Sequence, residues 1–175
     1  DDLILKILDA GLHAATSGNT QKYRFLVVKD QEIKKKVQVL YKRAFDEHTS
    51  ASYTSREPPP GSDEARYHRQ HAAVEYMTDH FHEVPVWIAA CLEHGDQEPN
   101  RMAGASVYPA VQNMLLAARA LGLGANLTTR AMRYEQEAEE ALGLPHGTHC
   151  YAIIPIGYPM GNFGPTRRGE MSEFV

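Results

Sequence analysis

The stretch Thr16-Ser17-Gly18-Asn19-Thr20-Gln21 sets hydroxyls, side-chain amides and a bare glycine backbone in six consecutive positions. Groups of that kind suit the edge of a planar heterocycle carrying several carbonyl and imino positions: amides and hydroxyls both give and accept hydrogen bonds, and glycine lets the main chain come close. The same residues equally suit a plain helix-ending turn, because Gly and Asn are the usual terminators, and composition alone favours neither. A second set is histidine-rich: His68, His71, His80 and His82, with Glu75 and Asp79 between them. His68 and His71 stand about one helical turn apart. No HExxH or facial-triad spacing is present, however, and a helix face rich in His, Arg and Glu is more often solvated than metal-bound, so no metal is expected. Nucleophilic catalysis is poorly served. Ser17 lacks a GxSxG elbow, and Cys91 lies in an apolar run that disfavours its thiolate.

The elements that must hold these residues follow from periodicity. Asp2 is a suitable N-cap for a helix through LILKILDAGLHAA, with Leu3, Ile7, Ala10 and Ala14 on one face. The polar turn comes next, and YRFLVVK has the aromatic and β-branched content of a strand. Asp30 caps an amphipathic helix whose stripe is Ile33, Val37, Leu40, Tyr41 and Phe45. Residues Asp46 to Ser62 are polar, aperiodic and contain three consecutive prolines, which predicts a flexible flap or loop. Helical spacing returns through Ala65, Ala72, Tyr76 and His80, then VPVWIAACLE reads as a buried strand. The run from Arg101 to Leu123 is apolar on nearly every side, predicting a helix buried all round that needs partners on several sides, a subunit interface being one way to supply them. ANLTTR fits a short strand or turn. YEQEAEEALGLPHG is a last amphipathic helix ended by Gly143 and Pro145, and HCYAIIPIGYP is a β-run.

The total is five helices and three or four strands, an α+β class fold. At 175 residues and 43% hydrophobic, the chain suits one domain, 1–175, burying roughly 70% of the surface that it exposes when unfolded. A net charge of -4 with no basic tract argues against nucleic acid as a partner. No run approaches the ~20 apolar residues of a membrane span. The N-terminus lacks a basic leader, and Cys91 and Cys150 read as buried thiols of a reducing, cytoplasmic compartment.

TSGNTQKYRFLVVKD resembles the PSSGNxQPWRFVVV segment of the nitroreductase family. Three more stretches agree in order: HEVPVWIAAC with the family's buried strand, ASVYPAVQNMLLAARALGLGANLTT with its central helix, and IIPIGYPMGNFGPTRRGEMSEFV with its C-terminal strand and basic phosphate contact. The resemblance covers essentially the whole chain and is weakest from Asp46 to His71. It implies the nitroreductase fold, a central, mostly antiparallel sheet flanked by helices in a homodimer, with flavin mononucleotide (FMN) bound non-covalently at the dimer interface. Ser17, Gly18, Asn19 and Gln21 would then contact the flavin, and Leu127, Thr128 and Thr129 would lie over the ring with a backbone N–H or hydroxyl near N5. Arg167 and Arg168 would pair with the phosphate. Two features depart from the family pattern. Thr16 stands where the family has Pro, and Lys22-Tyr23 where it has Pro-Trp. The family's Arg-Arg-Ser-x-Arg phosphate grip also has no counterpart from Asp1 onward. Each lost charge-assisted hydrogen bond would be worth roughly 1.5–3 kcal/mol, so a chain lacking that grip is expected to hold FMN more weakly by several orders of magnitude.

The implied activity is that of an FMN-dependent oxidoreductase. It would take hydride from NADH or NADPH and pass it to a small electron-poor acceptor such as a nitroaromatic or quinone. Tyr53, Arg56 and Tyr67, placed on or beside the flap, are candidate acceptor contacts. The alternative is a degenerate dimer of the same fold that binds flavin weakly or not at all and serves as a binding module.

Overall fold

The computed structural model describes residues 1–55, 63–100, 102–164, 169–173 and 175, with the side chains of residues 53, 54 and 66 excepted. Helix α1 (Asp2–Leu12) leads through a 3-10 turn (Ser17–Asn19) into strand β1 (Tyr23–Val28). Helices α2 (Gln31–His48), α3 (Ser50–Ser55) and α4 (Glu64–His80) precede β2 (Val86–Glu93). After α5 (Tyr108–Ala120) come the two-residue β3 (Gly124–Ala125), a 3-10 segment (Arg130–Tyr134), α6 (Glu135–Leu142) and β4 (Thr148–Gly157). The four strands form one sheet in the order β1-β2-β4-β3, antiparallel at every pairing. This is the expected α+β, mainly antiparallel architecture.

Alternation along β2 and β4 divides the core into two layers. Ile88, Ala90, Ala152 and Ile154 meet Ile7 of α1 and Val111, Met114 and Ala118 of α5. Trp87, Ala89, Cys91 and Ile153 meet Val37 and Tyr41 of α2 and Ala138 and Leu142 of α6. The sheet thus lies between two helical layers, and β2 is buried on both faces, as its continuous apolar run predicts.

Local capping accounts for several boundaries. Asp30 Oδ1 accepts from the backbone N–H groups of Glu32 and Ile33, each at 2.9 Å, and begins α2. Removing this cap in Asp30→Ala is expected to lower stability by about 1 kcal/mol, read as a shift of the urea midpoint at unchanged m-value. Gly143, left-handed at φ 69°, ends α6.

Four sequence expectations are corrected. Asp2 lies inside α1 rather than at its cap; Asp1 occupies that position without a side-chain capping bond and pairs with Lys29. Helix continues from Asp46 to His48 and again from Ser50 to Ser55, where a loop was expected. The hydroxyls of Ser50, Ser52 and Ser55 bond back to the carbonyls of Asp46, Thr49 and Ala51, so polar residues here extend helix instead of ending it. Residues 56–62, the remainder of that flap, lie outside the described residues. In α4 the exposed positions include Ala72 and Tyr76, while Thr78 is buried. Finally, α5 starts only at Tyr108, after a separate 3-10 turn (Ala103–Ser106), because Pro109 suits the first helical turn. Nor is it buried all round. Ala110, Val111, Met114 and Ala118 face the core, whereas Leu116 is 59% and Tyr108 40% exposed.

Candidate functional site

Between Ile153 and the start of α6, residues 126–129 run along the outer side of β4. Thr128 and Ile153 exchange backbone hydrogen bonds, 3.0 Å from the Thr128 N–H and 2.9 Å to its carbonyl, which pins this segment to the sheet. An open cleft of about 620 Å³ lies over it, lined by Leu127, Thr128, Thr129, Arg130, Met132 and Arg133 together with Ala44 and Thr49. That volume is within the range of small-ligand sites. Beneath the cleft is a column of rings: Trp87 on Phe81 at 4.3 Å and Phe81 on Tyr41 at 4.2 Å between centroids. Such offset stacks combine large buried area with defined geometry, so the floor is rigid.

Arg130 and Arg133, not singled out in the sequence, complete the cleft. The Arg130 guanidinium lies 4.8 Å from the Tyr41 ring centre and 4.9 Å from that of Phe45, and its Nη1 donates to Thr78 Oγ1 at 3.0 Å. Among the described residues no carboxylate pairs with Arg130 or Arg133, so the cleft carries net positive charge. Nearby, Glu47 is held below the usual carboxylate range, first by the Tyr134 hydroxyl that donates to it and then by Arg43. The same bond raises the Tyr134 phenol. This trio is therefore neutralised internally and leaves the potential of the two cleft arginines in place. The only sequence signal for Arg130 was its position directly after the Leu-Thr-Thr run.

The three cleft residues expected over a ring are not equivalent. Thr128 is 9% exposed. Its N–H is spent on Ile153, and its hydroxyl lies 3.4 Å from the Tyr41 hydroxyl. Thr129 is exposed, and its side chain makes no capping bond to the 3-10 segment that it precedes.

The turn at Ser17–Gln21 forms a second polar surface. Gly18, Asn19 and Gln21 all adopt left-handed backbone, at φ 55°, 54° and 51°. Left-handed backbone at a non-glycine residue costs of the order of 1–3 kcal/mol, and it persists where surrounding bonds enforce it. Those bonds are present. Gln21 N–H donates to Thr16 Oγ1 and Gln21 Nε2 to Asn19 Oδ1, both at 3.2 Å, and Ser17 N–H donates to Ser106 Oγ at 3.2 Å. Ser106, buried ahead of α5, thereby ties the turn to the central helix. It was not singled out in the sequence, where a serine in an apolar run carries no distinguishing signal. Ser17, Gly18, Asn19 and Gln21 all remain exposed.

The two surfaces do not meet within one chain. The turn leads into β1 at one edge of the sheet, and Thr128 lies against β4 on the other side, with β2 and β4 between. Three inter-strand spacings separate them by roughly 14 Å across a sheet covered on both faces. Tyr67 packs its ring against His71 on α4, 4.1 Å between centroids, and is not part of the cleft lining. The Tyr53 side chain, Arg56, Arg167 and Arg168 lie outside the described residues. The histidines do not converge either: His80 Nδ1 is 2.9 Å from Glu83 Oε1, and His68 is 3.7 Å from Glu64.

The sequence model of the nitroreductase family matches residues 1–158. A protein of Archaeoglobus fulgidus with the provisional name NADH dehydrogenase/NAD(P)H nitroreductase is 27% identical over 164 residues, covering 91% of this chain and 74% of its own length. The structure of iodotyrosine deiodinase bound to FMN and 3-iodo-L-tyrosine superposes with a TM-score of 0.69 at 22% identity, over 97% of this chain and 84% of that one. FMN-bound nitroreductase from Bacteroides fragilis gives a TM-score of 0.66 at 18% identity, over 97% and 83%. The structural likenesses establish a common fold, and the sequence match extends over nine-tenths of the chain: this protein belongs to the nitroreductase family.

Proposed function

We propose that the protein is an FMN-dependent oxidoreductase that acts as a homodimer, with each flavin held between the cleft of one protomer and the Ser17–Gln21 turn of the other. The observation that carries this reading is the cleft itself, which gathers Leu127, Thr128 and Thr129 beside Arg130 and Arg133, neither of which pairs with a carboxylate among the described residues. Its chemistry fits the group. Leu127 offers an apolar wall, Thr129 an exposed hydroxyl, and Arg130 and Arg133 a positive field that favours negative charge on a bound ring. When bound, FMN would supply acceptance of hydride from NADH or NADPH and its delivery to an electron-poor organic acceptor. Of the two threonines, Thr129 would be the one to hold the flavin by a donated hydrogen bond, because the Thr128 N–H is already committed to β4. By resemblance to the family Arg167 and Arg168 would take the phosphate; Tyr53, Arg56 and Tyr67, from their positions on or beside the flap, would border the acceptor.

Two observations support the dimer. The turn and the cleft lie at opposite sides of the sheet, so a second copy is needed to bring them together. The packed pair α1 and α5 also leaves Leu5, Leu12, Tyr108 and Leu116 exposed, an apolar surface suited to a subunit contact. Among the described residues no helix is long and apolar enough to cross a membrane, and both cysteines are free and buried, which fits a cytoplasmic protein.

The test is reconstitution. Protein incubated with FMN and freed of excess by gel filtration is expected to be yellow, with one FMN per chain, and to bleach when NADH or NADPH is added without oxygen. A colourless protein after the same treatment would overturn the reading and leave the fold as a binding module.

A further inference from the structure

Away from the cleft, Glu135 and Glu139 stand one turn apart on α6 and face His149 of β4, with a ligand atom from each within 4.8 Å of the others. His149 Nδ1 lies 3.3 Å from Glu139 Oε2 and 3.6 Å from Glu135 Oε1. Both separations are long for an N–H···O hydrogen bond. The nitrogen is nevertheless fully enclosed and without a hydrogen-bond partner, although the imidazole as a whole is 25% exposed. Both carboxylates stand at ion-pairing distance from this nitrogen, yet neither reaches good hydrogen-bond geometry with it, which leaves three donor atoms converging on one point.

A cation at that point would satisfy all three. Metal–ligand bonds of roughly 2.0–2.1 Å in tetrahedral geometry put neighbouring ligand atoms about 3.4 Å apart; the separations at Nδ1, 3.3 and 3.6 Å, are close to that, and the three atoms, all within 4.8 Å of one another, need only the exposed Glu135 side chain to close in. The donors also have supporting contacts. Glu139 Oε1 accepts the Cys150 N–H at 2.8 Å, which fixes that carboxylate and turns Oε2 toward His149. Glu135 is 49% exposed, so an ion has a route in and a fourth position is open to water. One imidazole and two carboxylates form a borderline donor set suited to Zn²⁺, whose charge they would balance.

We propose that Glu135, Glu139 and His149 form a divalent transition-metal site, with Zn²⁺ the best-matched ion. It fastens α6 to β4 just beyond the 3-10 segment that carries Arg130 and Arg133 into the cleft. The proposal does not depend on flavin binding, since none of its residues lines the cleft.

Zn²⁺ alone, titrated into the metal-stripped full chain against a chromogenic chelator, tests it. Wild type is expected to take up one equivalent and to melt at a higher temperature with the ion present. His149→Ala and Glu135→Gln should each weaken uptake by at least tenfold, while His146→Ala, which changes an exposed histidine 3.7 Å from Asp96, should not. Glu135 is exposed at the start of α6, so Glu135→Gln decides the matter even if His149→Ala fails to fold. Absence of a saturable single equivalent in wild type, or equal affinity in Glu135→Gln, overturns the proposal.

Discussion

A variant carrying Ser17→Ala, Asn19→Gly and Gln21→Gly is expected to bind FMN about 100-fold more weakly than wild type. The estimate rests on three neutral hydrogen bonds to the ring, each worth roughly 0.5–1.5 kcal/mol. Glycine is chosen at positions 19 and 21 because both residues are left-handed, and alanine there would add backbone strain to the loss of the side chain. Fluorescence titration of FMN gives the affinity, and urea denaturation of the apo-protein shows whether the turn still folds. The affinity should fall while the denaturation midpoint stays near that of wild type. Affinity within twofold of wild type would reduce this segment to a connection between α1 and β1.

Gly147→Ala is expected to be strongly damaging, costing about 3 kcal/mol or more. Gly147 has φ 74°, and a Cβ there would fall 2.4 Å from the Gly95 carbonyl oxygen and 2.8 Å from the Gly95 Cα. Those are backbone atoms that cannot swing aside, and the Gly147 carbonyl accepts from the His94 and Gly95 N–H groups at 2.7 and 3.2 Å. The turn after α6 would have to open, and with it the register of β4 on β2. Gly95→Ala separates strain from collision. Gly95 is also left-handed, at φ 62°, but nothing lies within 4 Å of its missing Cβ, so only about 1–2 kcal/mol should be lost. Thermal or urea unfolding of the pair measures the difference; equal losses would show that the contact with Gly95 relaxes freely.

Much of the fold was legible because its signals are local. The unbroken apolar run Val86–Leu92 announced a strand buried on both faces, Asp30 announced a helix start, and Gly143 a helix end. Errors arose where tertiary context decides. Ser50, Ser52 and Ser55 are residues that break helices or bond back to them, and only the carbonyls available at Asp46, Thr49 and Ala51 determined which. The run holding α5, apolar on nearly every side, looked buried all round, yet Leu116 and Tyr108 face outward, because apolar content alone does not say which side of a helix meets the core.

The candidate site was legible by residue type but not by arrangement. Leu127, Thr128 and Thr129, adjacent in sequence, line one cleft. That Thr128 spends its N–H on Ile153, and that Arg130 is laid over Tyr41 and Phe45, depends on contacts between segments distant in sequence that spacing does not encode. The separation of the turn from the cleft follows from strand order, a property that motif order conceals.

The most direct test of a flavin held between two chains is FMN binding by a mixed dimer. One chain carries the turn substitutions Ser17→Ala, Asn19→Gly and Gln21→Gly; the other carries Thr129→Trp, an exposed position from which a large ring fills the cleft. Each variant alone places a defect in both of its sites and should hold little FMN. If turn and cleft serve one flavin from different protomers, the mixed dimer has one site with both defects and one with none, and it should bind half the wild-type amount of FMN and recover NAD(P)H-dependent bleaching in that half. A mixed dimer that binds no more FMN than its two parents would place both sets of residues in the same protomer's site and contradict the account.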